Sequence, residues 1–149
     1  MMQDSVSLTG RCLCGAVSFT AEVSGDEVGA CHCSICRRQA SGPMFAALGV
    51  RAVTFDDEAN LVRYRSSEWV ERGFCGICGS KLFSRVIEGD HYHVCPTAFD
   101  DQERWRFTEE IFIDSKPDYY DFANETRRLT GAEFVAAYMG DDGAGEAQP

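Results

Sequence analysis

Cys31, Cys33 and Cys36 place three thiols within a six-residue stretch, and Arg37 and Arg38 follow at once. Sulfurs at i, i+2 and i+5 converge when the chain makes one tight turn, and converging thiolates are the donors that zinc and similar ions take. A lone buried cysteine behaves as a small hydrophobe, but three this close read as a metal knuckle. Two more pairs accompany them. Gly10-Arg11-Cys12-Leu13-Cys14-Gly15 is a CxC between glycines that let the backbone turn sharply, and Phe74-Cys75-Gly76-Ile77-Cys78-Gly79-Ser80 is a CxxC whose glycines leave amides to point at the sulfurs.

Counting donors divides these thiols. Cys12, Cys14, Cys75 and Cys78 supply a complete tetrahedral set, the closed arrangement of structural zinc. The triplet is then one ligand short, and a three-ligand zinc keeps a position for water or substrate, as catalytic sites do. A competing partition closes the triplet with Cys95 or a histidine, since His91, His93 and Cys95 alternate along one face of residues 90–95. A thioredoxin-type reading of the CxxC requires it to open a helix after a strand, whereas residues 81–85 read as another strand.

The elements that must position these groups are mostly strands. Residues 5–9 alternate, and residues 16–23 continue the alternation with Val17, Phe19, Ala21 and Val23 on one face. Short β-branched or aromatic runs at 45–50, 53–55, 61–65, 69–74, 81–85, 90–95 and 107–113 are separated by polar or glycine breaks, the rhythm of antiparallel β structure. Residues 34–40 fit a short helix ending near Gly42-Pro43. Thr130 with Glu133 fits a capping box before an apolar helix reaching 139.

The chain has 149 residues, 44% of them hydrophobic, which suffices for one domain over residues 1–139 followed by a mobile acidic tail at 140–149. Its 24 acidic residues against 14 basic ones give a net charge of −10, which repels nucleic acid and anionic membranes. Without a basic, apolar leader or a membrane-length apolar run, a soluble cytoplasmic protein is expected, and a reducing compartment favours metal ligation over disulfides for eight cysteines.

The three clusters in this order, Cys12-Leu13-Cys14-Gly15, then Cys31-His32-Cys33-Ser34-Ile35-Cys36-Arg37-Arg38, then Phe74-Cys75-Gly76-Ile77-Cys78-Gly79-Ser80, resemble the glutathione-dependent formaldehyde-activating enzyme family, which also contains the centromere protein V domain. The resemblance covers roughly residues 8 to 120. It implies a mainly β, Mss4-like fold, a structural zinc on Cys12, Cys14, Cys75 and Cys78, and a catalytic zinc on Cys31, Cys33 and Cys36.

The activity so implied is that of a zinc-dependent carbon-sulfur lyase joining formaldehyde to a small-molecule thiol, glutathione, as S-(hydroxymethyl)glutathione. Arg37 and Arg38 are placed to offset thiolate charge or hold a substrate carboxylate, against the plainer reading of a solvated face. Two stretches depart from the family pattern: Cys95-Pro96-Thr97-Ala98-Phe99-Asp100, and Glu110 where members often carry histidine. Alternatives are a non-catalytic zinc-binding interaction module of the same fold, and a thiol-redox or metal-sensing protein using Cys95 or the triplet.

Overall fold

The structure is a computed structural model and describes residues 4–139; the acidic stretch expected to be mobile at 140–149 lies outside them. In chain order the elements are β1 (Ser5–Arg11), β2 (Ser18–Ser24), β3 (Glu27–Cys31), α1 (Ser34–Ala40), β4 (Met44–Ala47), β5 (Val50–Phe55), β6 (Leu61–Arg65), β7 (Val70–Cys75), β8 (Lys81–Val86), β9 (His91–Val94), β10 (Arg106–Ile111), β11 (Arg127–Leu129) and α2 (Gly131–Met139). Single 3₁₀ turns lie at Pro96–Ala98 and Ile113–Ser115. The architecture is mainly β with largely antiparallel sheets and a C-terminal helix, as expected. No helix among the described residues is long and apolar enough to cross a membrane.

The chain divides into two compact units. The first comprises the described residues through Glu27 together with Ala46–Arg106. It holds two antiparallel sheets, ordered β1-β2-β5 and β6-β7-β8-β9. The alternation read in β2 and the residues before it sets the core: Val17, Phe19, Ala21 and Val23 are at most 2% exposed, and they pack with Leu82, Phe83, Val94 and Phe99. Phe19 meets Phe99 edge-on at 5.4 Å between ring centroids. Both metal-type knuckles of this unit are turns between paired strands. Cys12 to Gly15 links β1 to β2, and Cys75 to Gly79 links β7 to β8.

The strand expected over 45–50 is instead split, with β4 ending at Ala47 and β5 beginning at Val50. The reason is a close backbone approach: Ser24 N–H donates to the Gly49 carbonyl at 2.8 Å, and a Cβ on Gly49 would lie 1.7 Å from the Ser24 carbonyl oxygen. Only glycine fits there. Gly49→Ala is therefore expected to destabilise the protein by about 1–3 kcal/mol, the range for overpacked sites. The check is a lower denaturant midpoint with an unchanged slope.

The second unit runs from Val28 to Phe45 and resumes at Phe107. Its sheet is ordered β11-β10-β3-β4, with β10 and β11 parallel. β3 and β11 do not stand out in the sequence, because Val28-Gly29-Ala30 and Arg127-Arg128-Leu129 are too short to show a period, and pairing with neighbours makes them strands. β10 stops at Ile111, short of the expected 113, because Phe112 takes a left-handed φ of 56° and turns its buried ring toward Phe134 of α2. The capping box forms reciprocally: Glu133 N–H donates to Thr130 Oγ1 at 3.1 Å, and Thr130 N–H donates to Glu133 Oε1 at 2.8 Å. Helix α1 starts on Cys33 and ends at Ser41, whose φ of 64° closes it just before Gly42.

Candidate functional site

In the first unit, the sulfurs of Cys12, Cys14, Cys75 and Cys78 all lie within 4.8 Å of one another. Cys12 Sγ is 3.7 Å from Cys14 Sγ, which is 3.8 Å from Cys75 Sγ. A tetrahedral ion with metal–sulfur bonds of about 2.3 Å needs sulfurs about 3.8 Å apart, so the donor set fits such an ion. Backbone amides face the sulfurs as the glycine spacing foretold. Val17 N–H donates to Cys12 Sγ at 3.3 Å, while Ile77 and Cys78 N–H donate to Cys75 Sγ at 3.3 and 3.4 Å. Gly79, at φ 79°, lets its own N–H turn back to the Cys75 carbonyl at 2.9 Å. Ser80 ties the two turns together, accepting from Leu13 N–H at 3.0 Å and lying 3.2 Å from Cys78 Sγ.

Charge in this group is uneven. The Ser80 hydroxyl, with the backbone amides beside it, brings Cys78 down to about 5. The Ala16 amide favours a thiolate at Cys14, yet burial and the neighbouring thiols outweigh it and push Cys14 up to about 11.

In the second unit, Cys31, Cys33 and Cys36 also bring their sulfurs within 4.8 Å of one another, and the group contains three donors. Cys33 is the N-cap of α1, with Sγ accepting from Cys36 N–H at 3.3 Å. The helix therefore fixes Cys33 and Cys36 relative to each other, and β3 delivers Cys31. Hydrogen bonding with Cys33 and Cys36, followed by burial, raises the Cys31 pKa well above that of a free thiol. The donor chemistry again fits a metal ion.

His32, between the two cysteines, joins neither group. An extended chain alternates its side chains, so a histidine flanked by two converging thiols faces the opposite way. Its ring is 0% exposed, with Nε2 2.8 Å from Glu110 Oε1 and Nδ1 2.8 Å from the Tyr120 hydroxyl. Burial lowers the His32 pKa despite the carboxylate beside it, and a Glu110 carboxylate oxygen, which can only accept, pairs with a ring that carries its proton on Nε2. The other Glu110 oxygen accepts from Thr126 Oγ1 at 2.6 Å. This buried chain went unread in the sequence, although the alternation through Cys31-His32-Cys33 was its signal.

The remaining candidates fall outside both groups. His91 is exposed at the start of β9, and His93 is half-buried within it. Cys95 packs against the core of the first unit just before the Pro96–Ala98 turn. Arg37 directs Nε to the His32 carbonyl at 2.8 Å, bracing the knuckle, while Arg38 is exposed on the same helix. The CxxC occupies a hairpin turn and opens no helix, which removes the thioredoxin context.

A family model described as glutathione-dependent formaldehyde-activating enzyme matches residues 7–115. A Schizosaccharomyces pombe protein described as an uncharacterized lyase is 34% identical over 131 residues, covering 87% of this chain and 96% of its own length. A crystal structure of a Rhodobacter sphaeroides protein matches with a TM-score of 0.55 at 24% identity, over 68% of this chain and 100% of that one. The structural likeness speaks to the fold alone.

Proposed function

Since this chain belongs to the glutathione-dependent formaldehyde-activating enzyme family, we propose that it is a zinc-dependent carbon-sulfur lyase acting on the adduct of formaldehyde with a small thiol such as glutathione. The observation that carries this reading is the difference in donor count: four sulfurs in one group and three in the other. Cys12, Cys14, Cys75 and Cys78 would hold a structural zinc, and Cys31, Cys33 and Cys36 a second zinc with one position left to substrate. Zinc at the triplet would supply Lewis-acid stabilisation of negative charge developing on the substrate.

The reaction joins the thiol sulfur to the carbonyl carbon. The carbon–oxygen π bond opens, the thiol proton ends on the hydroxymethyl oxygen, and nothing is oxidised or reduced. The protein's part is to place the two reactants together and to keep the three sulfurs fixed as charge shifts. Cys33 and Cys36 are held by the first turn of α1, and Arg37 ties that helix back to the His32 carbonyl. The exposed Arg38 guanidinium, on the same helix, suits a carboxylate of the thiol substrate.

The test uses purified protein loaded with zinc. Two zinc ions per chain are expected, with glutathione altering the environment of one only, and with faster interconversion of formaldehyde and S-(hydroxymethyl)glutathione in exchange spectroscopy by NMR. Protein with two zinc ions, neither touched by glutathione, and no faster exchange would reject the lyase reading. That result would favour a non-catalytic interaction module, for which the 81% exposed Leu13 and 64% exposed Ile77 at the tips of the first unit's knuckles would be contact residues.

A further inference from the structure

We propose that Glu110 and Tyr120 are positioning residues which, through the buried His32 ring, hold Cys31 and Cys33 at the spacing the three-thiol group needs. The inference rests on the reading that this triplet binds a metal ion.

His32 is the residue that links the first two thiols, and it is fixed at four points. Its N–H donates to the Ile111 carbonyl at 3.0 Å, its carbonyl accepts from Arg37 Nε at 2.8 Å, and both ring nitrogens are engaged at 2.8 Å. The ring also lies beside those of Tyr120 and Phe122, at centroid separations of 5.5 and 6.0 Å. Behind it, the Glu110 side chain is only 3% exposed, with one oxygen on His32 and the other on Thr126. Arg128 Nε stands 3.8 Å from that second oxygen.

A buried carboxylate bonded on both oxygens is a rigid anchor, since leaving either its own oxygens or the ring nitrogen unpaired in this setting is strongly unfavourable. Rotation of the His32 backbone would break the ring's two hydrogen bonds and swing Cys31 and Cys33 apart together. Tyr120 adds a second tether on the other ring nitrogen. Lys116, which packs over its ring at 5.0 Å and pairs with Asp121 at 2.8 Å, holds Tyr120 in place. Groups that hydrogen-bond the metal ligands themselves change metal affinity by roughly 10- to 100-fold when removed, and Glu110 and Tyr120 act on the residue that joins two of those ligands.

The experiment compares wild type with Tyr120→Phe, Glu110→Ala and Glu110→Gln, all produced with cobalt in place of the native metal. The readouts are the ligand-field spectrum and the rate at which each cobalt passes to a chelator, with Cys31→Ser marking the triplet's ion. Tyr120→Phe and Glu110→Ala are expected to shift the bands of that ion and speed its release by roughly 10- to 100-fold, leaving the four-cysteine ion unchanged. Glu110→Gln keeps an acceptor for His32 Nε2–H and is expected to restore the wild-type spectrum. A purely structural role would loosen both ions alike, and that result, or unchanged spectra and release in Tyr120→Phe and Glu110→Ala, would overturn the proposal.

If Glu110→Ala does not fold, Tyr120→Phe decides alone. Selective cobalt loss in a protein without condensation activity would reject the lyase reading and leave this inference standing. An active protein with unaltered release would do the reverse. Wild type that takes up no cobalt at the triplet, its spectrum unchanged by Cys31→Ser, would overturn both.

Discussion

Replacing Cys75 with serine is expected to leave the protein without its cooperative unfolding transition. Cys75 is 0% exposed, ends β7, and accepts two backbone N–H groups at its sulfur. Its own N–H closes the hairpin onto the Ser80 carbonyl at 3.0 Å, and its side chain belongs to the same packed cluster as Cys12, Phe83 and Val94. Binding of a structural zinc contributes on the order of 10–16 kcal/mol, while a whole domain is stable by only about 5–15 kcal/mol. Losing the most buried of the four donors forfeits much of a contribution as large as the total, and it leaves the buried Cys12 beside the gap with the half-buried Cys78 and the exposed Cys14. Circular dichroism on heating, with zinc content measured alongside, checks this. A Cys75→Ser protein that melts like wild type with its full zinc content would refute the structural assignment.

Cys31→Ser should behave in the opposite way, with turnover falling at least about a hundredfold in a protein that still folds. A serine hydroxyl keeps its proton near neutral pH and is a poor donor to zinc, so the triplet would fall to two sulfurs. Yet Cys31 carries little of the fold. It is half-buried at the end of β3 and caps no helix, whereas Cys33 caps α1 and Cys36 is buried within it. Cys31 is thus the cleaner probe of the three. The expected pair of results is a melting temperature within a few degrees of wild type and an exchange rate close to that of the uncatalysed reaction. Loss of folding in Cys31→Ser, or undiminished turnover, would reverse the assignment of the two groups.

Much of this was legible because covalent spacing carries it. Thiols two or three residues apart in glycine-flanked turns must converge, and Cys12, Cys14, Cys75 and Cys78 do. The buried face of β2 and the Thr130–Glu133 capping box were readable for the same reason: periodicity and local hydrogen bonding act within a few residues. What stayed hidden depends on partners distant in sequence. The split at Gly49 comes from the approach of Ser24, and β3 is a strand because β10 and β4 flank it. The same holds for the His32–Glu110 contact, made across 78 residues. Glu110 could be marked as a departure from the family pattern, but no local rule says which side chain a buried carboxylate will meet.

The most direct test is a crystal structure of the zinc-loaded protein with anomalous scattering measured at the zinc edge. Two peaks are expected. One should be bonded to the sulfurs of Cys12, Cys14, Cys75 and Cys78, and the other to those of Cys31, Cys33 and Cys36 with its fourth ligand a water or a bound thiol. A protein side chain as the fourth ligand of the second zinc, or no zinc at the triplet, would contradict the account.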